Sequence, residues 1–316
     1  MKKILITGGA GYIGSMLSTE LIKLGHKVTV IDLLKYSENS IDHLHFNNNF
    51  EFIHEDATNY KIIKKHIKNK DIIIPLAALV GAPLCEKNKY LAKKTNYGGI
   101  KLIIDNIKKN QKLIYLNSNS GYGIGEKDKF CDENSPLKPI SLYGVTKKKS
   151  EELVIKKNKN FICFRLATVF GFSFRMRTDL LVNFFVNESL KKKKIEIFEP
   201  NFRRNFIHVK DVVNAIVYSL KNFNKLKNST YNLGLSNANI TKLQLAKKIK
   251  KYLTNIKIKV VEGKKDPDKR DYFVSNKKIE KKGFKCTISL DDGIRETINV
   301  LKYKTKQIKN NYIPKS

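Results

Sequence analysis

The sequence predicts an α/β fold: a doubly wound parallel sheet with a smaller, partly interleaved region at its C-terminal side. Three observations predict it. Short apolar runs alternate with amphipathic stretches over residues 1–170. The first strand, helix and strand occupy about thirty residues, the span of a parallel βαβ unit. A glycine-rich turn, "TGGAGYIGS" at 7–15, sits where that strand meets that helix.

The elements follow in order. "KKILIT" (2–7) is a short apolar strand, Tyr12 to Leu24 an amphipathic helix, and "KVTVID" (27–32) the second strand. Apolar β-branched runs place further strands at "FEFI" (50–53), "DIIIPLA" (71–77), "KLIYLNS" (112–118) and "FICFRLA" (161–167). Helices are expected at 59–68, 95–109 and 142–157, completing the alternation that favours a parallel sheet. Beyond 170 the rhythm becomes irregular, with helices near 178–190, 211–222 and 241–252 and strands near 195–198 and 206–209. We therefore divide the chain into 1–170, 171–302 and a polar tail, 303–316.

Composition narrows the class. With 41% hydrophobic residues among 316, the chain can bury a substantial core. No apolar run approaches the roughly 18 residues that cross a bilayer, and the N-terminus turns glycine-rich too early for a signal peptide, so no membrane partner and a cytoplasmic address are expected. Cys85, Cys131, Cys163 and Cys286 are scattered without metal-ligand or redox spacing and read as reduced thiols; no metal site is expected. The net charge of +33 is spread along the whole chain, which argues for compositional drift and against a dedicated nucleic-acid surface. Only seven of the 62 basic residues are arginine, and where lysine is the default cation an arginine points to a need for its bidentate fork.

Gly8, Gly11 and Gly14 take G-x-x-G-x-x-G spacing directly after the first strand and at the mouth of a helix. Glycines allow close backbone approach, and the helix N-terminus, with Tyr12 and Ile13, offers free N–H groups to a pyrophosphate. Asp32 ends the second strand, where a carboxylate accepts ribose hydroxyls and repels a 2'-phosphate. Together they predict a Rossmann dinucleotide site and NAD as cofactor. Asp56 and Ala57 follow the third strand and either touch the adenine or, in the case of Asp56, cap a helix.

In "SLYGVTK" (141–147) Tyr143 and Lys147 stand four apart on one helical turn, as either a solvated face or a base beside a cation. With "PLAAL" (75–79), "TN" (95–96) and "NSNSGYG" (117–123) in the same order, the chain resembles the extended short-chain dehydrogenase/reductase family acting on nucleotide sugars. The resemblance implies that Tyr143 is the general base, that Lys147 binds the nicotinamide ribose and lowers the tyrosine pKa, and that Ser118 holds the reacting hydroxyl. Leu76, Ala77 and Ala78 would then line the cofactor. A phenol with a reference pKa of about 10 needs such neighbours to act as a base at neutrality. The family's dehydratases carry Asp and Glu after the catalytic hydroxyl residue. Asn119 and Ser120 stand there instead, which argues against dehydration and leaves C4 epimerisation open.

A narrower resemblance runs through 71–85, 117–128, 164–183, 202–213 and 266–276, to the GDP-D-glycero-α-D-manno-heptose 4-dehydrogenases of capsular heptose modification. It implies a GDP-sugar substrate, a tightly held NAD/NADH couple, 2-oxoglutarate as co-substrate, and, as is usual in the wider family, a homodimer. Arg204 and Arg270 are the first candidates for the substrate diphosphate, Arg175 and Arg177 for 2-oxoglutarate or a sugar hydroxyl, and Asn96 and Thr168 are weaker candidates. Cys85 reads as packing, His208 as a strand-end histidine held by backbone, and Arg165 and Arg295 as structural.

Overall fold

The computed structural model describes residues 1–126, 129–262 and 270–304. Fourteen strands lie among them: β1 Lys3–Thr7, β2 Lys27–Asp32, β3 Phe50–His54, β4 Ile72–Pro75, β5 Lys112–Ser118, β6 Phe130–Cys131, β7 Phe161–Leu166, β8 Thr168–Phe170, β9 Lys194–Ile197, β10 Arg203–His208, β11 Ser229–Leu233, β12 Asn239–Thr241, β13 Lys257–Val260 and β14 Phe273–Val274. The helices used below are α1 Tyr12–Lys23, α2 Tyr60–Ile67, α3 Ala82–Lys87, α4 Lys89–Lys93, α5 Gly99–Asn106, α6 Leu142–Lys157, α7 Leu181–Lys192, α8 Val209–Lys221, α9 Phe223–Leu226, α10 Lys242–Tyr252, α11 Lys277–Lys281 and α12 Leu290–Lys304.

Seven strands form one sheet in the order β3-β2-β1-β4-β5-β7-β11, and every pair in it is parallel. Side chains alternate across that sheet. Ile4, Ile6, Val28, Val30, Ile72, Ile74, Ile114, Leu116, Ile162 and Phe164 share one buried cluster with Leu17 and Leu21 of α1 and Val212 and Ile216 of α8. Leu5, Ile31, Ile73, Leu113, Tyr115 and Cys163 face the other way, onto Ile63 of α2, Ile100 and Ile103 of α5 and Val154 of α6. Both faces are therefore covered, which explains why the strands read as unbroken apolar runs.

The chain order reverses at β1, which has β2 on one side and β4 on the other, so the carboxyl ends of these strands open the crevice where α/β sheets bind ligands. A third cluster, including Phe170, Val182, Phe185, Val186, Phe206, Leu245, Ile294 and Ile298, builds the smaller region beside that crevice. The interleaving is physical: β11, well beyond residue 170, returns to complete the large sheet against β7. The tail beyond Lys304, and residues 127–128 and 263–269 within two of the strings compared above, lie outside the described residues.

Candidate active site

The glycine turn is dictated by space. A Cβ on Gly14 would stand 2.2 Å from the Gly8 carbonyl oxygen, and one on Gly8, whose φ is +75°, would stand 2.5 Å from the Ala77 nitrogen. Close approach thus packs the mouth of α1 onto the Leu76–Ala78 stretch that follows β4. Gly11 caps α1 without a side-chain hydrogen bond, so the first-turn N–H groups of Tyr12, Ile13 and Gly14 are left for a ligand. Asp32 ends β2 with one carboxylate oxygen accepting from Ala10 N (3.0 Å) and the other from Leu34 N (2.9 Å). Burial pushes its pKa up against those hydrogen bonds. These residues fit a dinucleotide: an uncapped helix start, a turn with no room for side chains, and a fixed carboxylate at the ribose end.

Asp56 and Ala57 diverge from each other. Asp56 accepts from the backbone N–H and hydroxyl of Thr58, both at 2.8 Å, and pairs with Lys94 at 3.4 Å; α2 is capped by Asn59 instead. Ala57 packs in the apolar cluster beneath the sheet.

Ser118 ends β5, and its hydroxyl accepts from Ser120 N at 3.1 Å. Ser141 caps α6 through Gly144 N (3.2 Å), which sets Tyr143 in the first turn and Lys147 one turn on. Asn96 lies in a π turn, Lys94–Gly98, and ties three elements together. Its side chain bonds both N (2.8 Å) and O (3.0 Å) of Leu79 and reaches Thr146 Oγ1 (3.3 Å), while its own carbonyl accepts from Ser150 (2.8 Å). The wall after β4 and the helix of the Tyr–Lys pair are thereby fixed to each other. Cys85 is sealed beside it, its thiol pushed up to about 11 by burial.

The electrostatics differ from the expectation that Lys147 lowers the tyrosine pKa. Burial pushes the Tyr143 phenol up to about 12; the opposing influences are the Arg270 guanidinium, the Ser118 hydroxyl and Arg177. The Lys147 ammonium instead donates to Leu116 O at 2.6 Å and lies 4.5 Å from the Tyr115 ring centre. Full burial drives Lys147 down to about 8. In the chain alone, desolvation outweighs the cation expected to activate the base.

Asn119 and Ser120 are buried directly after Ser118, and both polar atoms of the Asn119 amide and the Ser120 hydroxyl lack hydrogen-bond partners. After burial, the leading influences on Tyr143 are Arg270, Cys85, the Ser118 hydroxyl and Arg177. Arg270 also donates to Tyr272 OH (3.3 Å), and its carbonyl accepts from Arg204, which additionally bonds Arg203 O (2.9 Å). Thr168 starts β8, paired with Phe206. Arg177 is locked to Asp179, Nε to Oδ1 at 3.1 Å and Nη2 to Oδ2 at 2.5 Å. The Arg175 guanidinium lies 4.8 Å from the Tyr36 ring centre, and beyond burial the charges of Arg177, Asp179 and Asp32 act on it. Tyr36 and Asp179 escaped sequence reasoning; the one available signal was the two-residue spacing of Asp179 from Arg177.

Arg165 is structural: it grips Glu151 with Nε and Nη2 (3.1 and 2.6 Å) and Tyr122 OH with Nη1 (2.9 Å). His208 accepts from Lys210 N (3.3 Å) at Nδ1 and meets Glu296 at 2.6 Å through Nε2. Among the described residues no three His, Cys, Asp or Glu side chains gather as metal ligands would, and no helix is long and apolar enough to cross a membrane.

A seven-stranded dinucleotide fold with this cleft defines an NAD-linked oxidoreductase of the short-chain type. The chain belongs to the NAD dependent epimerase/dehydratase family, which it matches over residues 4–234, and NAD is its cofactor. It is 28% identical to UDP-glucuronic acid decarboxylase 1 of Danio rerio, over 99% of this chain and 76% of the relative. It is 27% identical to a putative UDP-glucose 4-epimerase of Methanocaldococcus jannaschii, over 95% of this chain and 98% of the relative. Among solved structures, UDP-glucuronic acid 4-epimerase from Bacillus cereus, in complex with UDP-glucuronic acid and NAD, superposes with a TM-score of 0.85 at 26% identity, covering 95% of this chain and 99% of that one.

Proposed function

We propose that this protein oxidises a nucleotide sugar at C4, with GDP-D-glycero-α-D-manno-heptose as the substrate and the 4-keto sugar nucleotide as the released product. The relatives named for UDP-sugar reactions support the substrate class. One observation carries the reaction type: Asn119 and Ser120, neither of them an acid, occupy the buried positions directly after Ser118 with free polar atoms, so those positions offer hydrogen-bonding groups for a sugar and no carboxyl to expel water.

Ser118 would hold the C4 hydroxyl and Tyr143 accept its proton, while Lys147 would orient the ribose of the cofactor. NAD supplies the hydride acceptor when bound. Gly8, Gly11, Tyr12, Ile13 and Gly14 would cradle its pyrophosphate, Asp32 its ribose, Asp56 and Ala57 its adenine side, and Leu76, Ala77 and Ala78 its inner wall. Arg204 and Arg270 would meet the substrate diphosphate, Arg177 and Thr168 its sugar. The balance closes when the hydride and proton pass to 2-oxoglutarate, giving 2-hydroxyglutarate and restoring NAD. Four free thiols agree with a reducing cytoplasm. The reading includes a homodimer; Tyr90, Ile140 and Ile155, on or next to α4 and α6, expose apolar surface for it.

The test is incubation with GDP-heptose and 2-oxoglutarate, followed by mass spectrometry. A ketosugar and 2-hydroxyglutarate are expected in equal amounts. The B. cereus likeness keeps one alternative, a 4-epimerase, for which an isomer of unchanged mass would form with no oxoacid consumed.

A further inference from the structure

Between β8 and α7 the chain crosses the mouth of α1 as a strap, residues 171–180. It begins at Gly171, whose φ of +104° and a would-be Cβ 2.0 Å from His208 Nε2 admit no other residue without rearrangement. Tyr12 OH donates to Gly171 O (2.7 Å), and Ser173 Oγ donates to Tyr12 O (2.6 Å) and lies 3.1 Å from Ser15 Oγ. Asn183 donates to Arg177 O (2.8 Å) and accepts from Gly171 N (3.1 Å). The strap is thus sewn to the first turn of the helix whose N–H groups face the cofactor.

Two guanidiniums hang from it, and they differ. Arg177 has a carboxylate, Asp179. Arg175, 3% exposed, has none within ion-pair distance among the described residues, and its Nη2 has no hydrogen-bond partner. A buried cation without a counter-charge is costly, so such a group implies an anion that completes it. Burial and then the Arg177 charge hold Arg175 down to about 10, consistent with a missing partner. Its surroundings say which anion. Arg175 feels Arg177 and Asp179 and, more weakly, Asp32 at the ribose end, while Arg177 acts on Tyr143 at the reacting end, so Arg175 stands between the two ends. What lies between those ends of a dinucleotide is its diphosphate, whose paired oxygens suit a planar fork.

We infer that Arg175, carried on this strap beside the first turn of α1, binds the pyrophosphate of NAD. This rests on NAD as the cofactor and on nothing about the sugar.

The test reads exchange of bound NAD for labelled NAD in the purified holoprotein, comparing wild type with Arg175→Met and Arg175→Lys. Loss of charge-assisted bonds to a diphosphate should speed release roughly 10- to 100-fold in Arg175→Met, with Arg175→Lys between. GDP affinity by equilibrium dialysis should stay unchanged, and NAD-free Arg175→Met should melt no lower than NAD-free wild type, because the uncompensated charge is gone. Unchanged exchange would overturn the inference. So would a parallel loss of GDP affinity, which assigns Arg175 to the substrate diphosphate; a gain in NADP exclusion or acceptance without faster NAD release, which assigns it to the 2'-position; or a lower melting temperature, which makes it structural. Sugar turnover is not measured, so a wrong substrate assignment leaves the result intact.

Discussion

Replacing Lys147 by methionine is expected to make the NAD-free protein more stable while removing turnover. The magnitude follows from burial. The ammonium is pushed from 10.5 to about 8, a difference of about 2.5 units, worth about 3 kcal/mol at roughly 1.4 kcal/mol per unit. Methionine fills similar volume without charge and forfeits one hydrogen bond, to Leu116 O, at about 1 kcal/mol. A net gain of about 2 kcal/mol at pH 7 results. Its pH dependence is the signature. Because the folded-state pKa lies below the unfolded value, the unfolded chain binds the proton more tightly, and the cost to wild type is fully present below about pH 8. Wild type recovers as pH rises from about 8 to 10.5, closing the gap. Urea unfolding of both proteins at pH 7, 8, 9 and 10 measures this. A variant less stable than wild type at pH 7, or a gap that ignores pH, would refute the claim that desolvation dominates at this lysine.

Glu151→Gln should cost about 3–5 kcal/mol in urea unfolding, since it strands the buried Arg165 guanidinium, and adding Arg165→Met should recover part of it; additive losses would show that the two side chains are not coupled. Tyr143→Phe should keep its NAD, measured by chromatography after acid release, yet lose turnover by roughly 10²–10⁴-fold; retained turnover would remove Tyr143 from the role of base.

The large sheet was legible because its strands are short apolar runs alternating with amphipathic stretches at βαβ spacing. β11 was not, since three of the five residues of "STYNL" are polar and the segment acquires meaning only by pairing with β7. Helix α12 also went unplaced, although Leu290, Ile294, Ile298 and Leu301 recur at helical spacing and pack into the core of the smaller region. In the site, the glycine turn and Asp32 carry their geometry locally. The surroundings of Arg175 are not local; the path of the strap over α1 decides its neighbours. The Tyr143 pKa is not legible in the sequence, because two residues one turn apart on a helix say nothing about how dry the pocket is, and burial dominates there in the chain alone.

The return of β11 to the sheet has a consequence for engineering. A chimera joined once near residue 170 would take its edge strand from one parent and the neighbouring β7 from the other, mismatching a five-residue register. Exchanging sugar preference between homologues therefore calls for two or more junctions that leave 229–233 with its own parent, or for grafting single loops; the polypeptide offers no detachable cassette.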